Sequence, residues 1–242
     1  MDSYPFALGL HLLAGTSALL SFWFNAALRK GTPLHRRVGQ VYLLSMLGVI
    51  VSGVPLAHAL IGRGHPLSAM FLGYLIVLVS QACWNAWRAI RERARPERYF
   101  GAAYWSLTAI ACVAGIGMIV LGVQVGATLF IVFGSIGVVS VPIAWASWRA
   151  RANPRWWIRE HYGAIVGCGV ATHIAFLGIG LRRLLPGFDP GALQALAWFG
   201  PLGAAVLAAW WLNRRYGRAG LYRPKPAPVG GAPASATMRG TA

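Results

Sequence analysis

Carboxylates are scarce in this chain. Five Asp and Glu stand in 242 residues, against 22 Lys and Arg, for a formal charge of +17. Charged residues of both signs reach only 11%, less than half the share of an ordinary soluble domain. A water-soluble globule of this length would lack the charge to cover its surface, which excludes a soluble α/β enzyme. Nucleic-acid binding is excluded as well, because the cations come in short clusters between apolar runs and form no continuous basic face. Cysteine is rare too: Cys83, Cys112 and Cys168 are the only three. All lie inside apolar runs, none has the spacing of a metal pair, and no disulfide framework is indicated. There is no P-loop, dinucleotide fingerprint or Ser-His-Asp motif.

What the chain has in excess is apolar residues, 57% of the total, gathered in long runs. A transmembrane helix needs about 20 such residues. Residues 5–28, 38–62, 67–90, 102–123, 127–148, 161–182 and 191–212 meet that length. The expected fold class is therefore all-α, a polytopic membrane bundle of seven helices within residues 1–215. The alternative is six spans, since Gly200-Pro201-Leu202-Gly203 interrupts the last run. The opening Met1-Asp2-Ser3-Tyr4-Pro5 has no basic segment and no clear cleavage site, so the first run reads as a retained span. Residues 216–242, rich in Pro, Ala and Gly, read as a disordered cytoplasmic tail.

The cations assign the sides. Nineteen of the 22 fall in the tail or in the connections after the first, third and fifth spans. Only Arg63, Arg182 and Arg183 fall on the other side. The positive-inside rule then places the N-terminus outside and the C-terminus in the cytoplasm.

All five carboxylates lie at span edges, which argues against a carboxylate-driven pump. The histidines remain. His35 and His161 are expected near the inner ends of their spans, with Arg36, Arg37 and Arg159 beside them. His11 and His58 lie near the outer ends of theirs. His173 stands well inside the sixth span, about 18 Å along the helix from His161. His65 belongs to a short outer loop. Two histidine layers, one near each face, suit a haem protein, because neutral imidazole is a good axial ligand for iron. Arg36 and Arg37 could then pair with propionates. The inner layer offers His35 with His161. In the outer layer, depth alone pairs His11 with His58, and the apolar neighbourhood of His173 pairs it with His11. Each histidine singly also reads as an interfacial or interhelical hydrogen-bonding residue; the combination carries the haem reading.

Two stretches carry a family likeness. One runs His11-Leu12-Leu13-Ala14-Gly15, Arg29-Lys30-Gly31 and His35-Arg36-Arg37-Val38-Gly39-Gln40-Val41-Tyr42. The other is Trp157-Ile158-Arg159-Glu160-His161-Tyr162. The chain resembles the bacterial membrane-protein family called domain of unknown function 2306, loosely over residues 7–183 and well over 11–42. That family's late pattern places a histidine just before Trp-Met-Ile-Arg; here His161 follows Trp157-Ile158-Arg159. The resemblance implies the membrane architecture and no particular chemistry.

Three functions are open at this stage. The first is haem b binding with electron transfer across or within the membrane, with a quinone or another redox partner. The second is a transporter or lipid-handling protein, with a pocket formed by residues such as Asn25, Ser52, Ser80, Asn85 or Thr172. The third is a non-catalytic membrane subunit or scaffold, whose basic loops meet membrane lipids or an acidic partner.

Overall fold

The structure, a computed structural model, describes residues 4–217. Eight α-helices run in order: α1 Tyr4–Ala27, α2 Pro33–Gly62, α3 Pro66–Arg91, α4 Pro96–Tyr99, α5 Ala102–Gln124, α6 Thr128–Arg149, α7 Trp156–Leu184 and α8 Pro190–Leu212. All but α4 are long and apolar enough to cross a membrane, so the expected seven-helix arrangement stands. α8 continues through Pro201, so the last apolar run is one helix. Most of the expected tail, residues 218–242, lies outside the described residues; its first two, Tyr216 and Gly217, close a π-helical turn over Asn213–Gly217.

Two helices begin earlier than the apolar runs. α2 starts at Pro33, where Thr32 accepts the His35 amide and proline takes the first helical position. α7 starts at Trp156. A hydropathy window stops at charge, whereas backbone hydrogen bonding does not. His35 and His161 therefore stand inside the first two turns of their helices. At the end of α1 the Lys30 ammonium donates to the Asn25 and Ala26 carbonyls, both at 2.8 Å. That closes the helix end, and partial burial pulls this amine below its usual range.

Consecutive long helices alternate in direction. One end of the bundle carries the connections after α1, α3 and α6 together with the end of α8, and hence most of the cations; it is the basic end below. Broad seams join α1 to α2, α2 to α3 and α3 to α7, and a narrower one closes α7 onto α1. These four helices form a ring in which α2 and α7 stand diagonally opposed. Its core holds Ala18, Tyr42, Met46 and Cys168, with Phe22 and Cys83 packed against them. The Cys83 and Cys168 sulfurs are 3.5 Å apart and both thiols are free. Mild thiol oxidation of the detergent-solubilised chain should therefore join Cys83 to Cys168 and leave Cys112 free. Peptide mapping that finds no Cys83–Cys168 link would contradict the α3–α7 packing.

The α5–α6 hairpin flanks the ring on the α3 side, and α8 packs on α7. The hairpin turns at Gly126, whose φ of +67° suits glycine. Its helices approach until backbone meets backbone. A Cβ on Gly115 would sit 2.5 Å from the Gly134 carbonyl oxygen, and one on Gly137 would collide with the Ala111 carbonyl. The Tyr74 hydroxyl from α3 inserts here, donating to the Phe133 carbonyl at 3.0 Å and accepting the Gly137 amide at 3.1 Å. Near this turn, at the end away from the cations, Phe71, Phe130, Phe133 and Trp198 knit α3, α6 and α8 together.

Candidate functional site

The histidines can be sorted by what their ring nitrogens touch. His173 has both nitrogens occupied. Its Nδ1–H donates to the Gly169 carbonyl at 2.7 Å, so its Nε2 is the acceptor for the Trp23 indole N–H at 2.9 Å. Phe22 and Trp23 stand edge-on to the ring. His11 faces α2. The Ser52 hydroxyl gives its hydrogen to the Gly48 carbonyl at 2.6 Å and so accepts from His11 Nδ1 at 3.0 Å. That leaves His11 Nε2 with a lone pair. The ring packs beside Gly53, and Ile76 is the α3 side chain at that level. His58 is exposed two turns further out on α2. His65 is an exposed N-cap position of α3. The outer histidines thus occupy separate surroundings, and the structure does not bring His11 to His58 or to His173.

At the basic end the result differs. His161 donates through Nδ1 to the Ala86 carbonyl of α3 at 3.0 Å, a bond that orients the ring and leaves the lone pair on Nε2. His35, across the ring of helices, has a buried Nδ1 with no hydrogen-bond partner. The two imidazoles are near enough to feel each other's charge, and the Lys30 and Arg36 cations lie within the same electrostatic range of His35. Arg37 is exposed on the neighbouring face. His35 and His161 thus stand on diagonal helices at the same end of the bundle, with His35 Nδ1 unpartnered and His161 bonded through Nδ1.

Buried polar atoms without partners concentrate here. Of six such atoms among the described residues, five belong to the basic halves of α1, α2 and α3: Asn25 Oδ1, His35 Nδ1, Tyr42 OH, Asn85 Oδ1 and Arg88 Nε. The sixth is the Trp198 indole nitrogen of α8. Native interiors leave few such groups, and a cluster of them marks a place for water, an ion or a ligand. Sequence reading passed over Arg88 and treated Asn25 and Asn85 only as transport candidates. It had no means to see that their polar atoms end up unpaired at the level of His35.

A second polar cluster braces this end. Glu160 Oε2 accepts the Tyr99 hydroxyl at 2.9 Å and the Tyr104 hydroxyl at 3.5 Å. Tyr99 is 2% exposed, among Phe100, Tyr104 and Trp156. Burial foremost, then the Glu160 carboxylate, pushes the Tyr99 phenol far above its ordinary range. The sign follows: above about pH 10 an unfolded chain loses this proton while the folded one keeps it, so stability falls as pH rises past that point. Tyr99→Phe should cost about 1.5–3 kcal/mol, the range for a hydrogen bond to a charged group, and flatten that alkaline decline. Thermal unfolding in detergent at neutral and alkaline pH checks both.

Of the polar residues expected to line a transport path, Ser52 is taken up by His11. Thr172 contacts the Met46 sulfur at 3.4 Å and the Cys168 carbonyl at 3.2 Å. A hollow of about 630 Å³ is an open groove on α1 and α2 lined by Leu13, Thr16, Ser17, Leu20, Ser21, Phe24, Val38 and Val41. None of the expected path residues lines it. Among the described residues no group of three or more His, Cys, Asp or Glu is placed to hold a metal ion; an axial haem pair needs only two imidazoles. Comparison with protein-family models, with curated proteins and with solved structures found no match to this chain.

Proposed function

We propose that this chain is a bacterial inner-membrane protein that binds a single haem b at its basic end, between His35 and His161, for electron transfer. The carrying observation is the diagonal imidazole pair, with a lone pair on each ring, beside buried polar atoms that lack partners. Such placement on facing helices is how bundles build cofactor sites. Bound haem b supplies reversible one-electron chemistry. The residues do the rest. His161 is held by the Ala86 carbonyl, and His35 is set by the Thr32-capped first turn of α2. Arg36 and Arg37 supply cations for the propionates, and Lys30 adds to the same field.

One site is proposed and not two. His173 has no free nitrogen, and α3, the helix diagonal to α1, offers no histidine opposite His11. The charge asymmetry supports a cytoplasmic basic end and an outside N-terminus; membership of the domain of unknown function 2306 family rests on the resemblance of residues 11–42 alone. The test is optical. Protein purified in mild detergent from cells supplied with haem precursor should give a b-type reduced-minus-oxidised spectrum, with about one haem per chain. A colourless, well-folded protein would retire the reading. Lipid handling is the second reading, favoured by the apolar, hydroxyl-edged groove on α1 and α2, which suits an acyl chain.

A further inference from the structure

The core of the four-helix ring holds chemistry that the haem reading does not use. Cys83 on α3 and Cys168 on α7 bring their sulfurs to 3.5 Å, and both thiols are free. A third sulfur belongs to the same cluster: Met46 on α2 is, like Cys168, almost fully buried there. Thr172, one turn along α7 from Cys168, ties it in. Its hydroxyl reaches the Met46 sulfur at 3.4 Å and the Cys168 carbonyl at 3.2 Å. Three helices thus each lend a sulfur to one buried cluster. The chain has only three cysteines and five methionines, so abundance does not explain the meeting.

Tyr42 supplies a second, separate observation. It precedes Met46 by one turn of α2, is 1% exposed, and its hydroxyl has no hydrogen-bond partner. Both thiols lie within electrostatic range of that hydroxyl, and Thr172 is its other polar neighbour. A buried hydroxyl without an acceptor is costly. Beside an ionised sulfur it gains one. These features select the ligand. Zinc asks for four ligands, and among the described residues no third His, Cys, Asp or Glu joins the pair. Thiolate and thioether sulfur select copper(I), which is content with two or three ligands. With metal–sulfur bonds of about 2.3 Å, sulfurs 3.5 Å apart subtend about 100° at a shared ion. Opening the pair by about half an ångström reaches the trigonal angle of a three-coordinate ion. Cys83 is half-buried, which keeps one sulfur reachable from outside the cluster.

We propose that Cys83, Cys168 and Met46 form a binding site for a single copper(I) ion, with the Tyr42 hydroxyl donating to a bound thiolate. Each thiol gives up its proton as its sulfur bonds to the ion, so each copper bound releases about two protons. The test adds copper(I) to the full-length protein in mild detergent, anaerobically with ascorbate, in competition with bathocuproine disulfonate. About one copper per chain should be retained, with a first shell of sulfur alone by X-ray absorption. C83S/C168S should weaken retention more than about 100-fold, and Y42F, which removes only the hydrogen bond to the thiolate, about 10- to 100-fold. M46L should fall between them, and C112S should match the unaltered chain. The haem spectrum, read on the same samples, should survive C83S/C168S, so the two sites stand or fall separately. A first shell containing nitrogen would move the ion to the imidazoles and overturn the site. Unchanged retention in C83S/C168S, or the same loss in C112S, would overturn it as well. A Cys83–Cys168 disulfide formed under these conditions with no copper held would assign the pair to thiol redox chemistry and overturn the metal site.

Discussion

His161→Ala is expected to abolish the reduced-minus-oxidised haem spectrum of the purified protein, and His35→Ala to do the same, while His173→Ala leaves it intact. The difference rests on which nitrogens are free. His161 uses Nδ1 on the Ala86 carbonyl and keeps Nε2, and His35 has a buried Nδ1 without a partner. His173 spends Nδ1 on Gly169 and Nε2 on Trp23. Removing a group that merely orients a metal ligand costs about 10- to 100-fold in affinity. Removing a ligand itself costs more, so haem content should drop to background. His161→Ala also forfeits one interhelical hydrogen bond, worth about 1 kcal/mol, which a bundle this size tolerates. Oxidative joining of Cys83 to Cys168 reports on α3–α7 packing in the same preparations and separates loss of ligand from loss of fold. Full haem content in both His35→Ala and His161→Ala would reject the site.

Gly137→Leu should be the most damaging single change to the fold. At this position α5 and α6 touch backbone to backbone, and a new Cβ would collide with the Ala111 carbonyl and lie 2.6 Å from the Tyr74 hydroxyl. Neither group can yield cheaply: the carbonyl belongs to a helix, and the hydroxyl is bonded to Phe133 and Gly137 themselves. Overpacking costs about 1–3 kcal/mol where side chains can adjust, and more where backbones must part. A loss of at least about 3 kcal/mol is expected, seen as a lower thermal midpoint and as aggregation in detergent. Gly117→Leu is the matched control, because nothing lies within 4 Å of its Cβ position. There the better helix propensity of leucine, worth up to about 1 kcal/mol, should leave stability equal or raised. Equal behaviour of the two variants would contradict the α5–α6 seam.

The helices were legible because the bilayer imposes a one-dimensional rule: about 20 apolar residues, with backbone groups satisfied inside the segment. The boundaries shift where that rule stops. α2 and α7 extend beyond the apolar runs into charged turns, so His35 and His161 stand within the first two turns of their helices. Depth along the chain put His11, His58 and His173 in an outer layer and His35 with His161 in an inner one, yet depth does not choose contacts. Trp23 reads as one of many interfacial tryptophans, but its indole N–H occupies His173 across 150 positions of sequence. Ser52 reads as a path residue, but its hydroxyl already serves Gly48 and His11.

The sequence by itself determined a seven-helix membrane bundle with a strongly basic end, because hydropathy and charge add residue by residue along the chain. The tertiary structure decided which histidine nitrogens find partners. A ring nitrogen is free or occupied according to neighbours from other helices. Only the closure of α1, α2, α3 and α7 into a ring sets His35 opposite His161 and turns His173 onto Trp23.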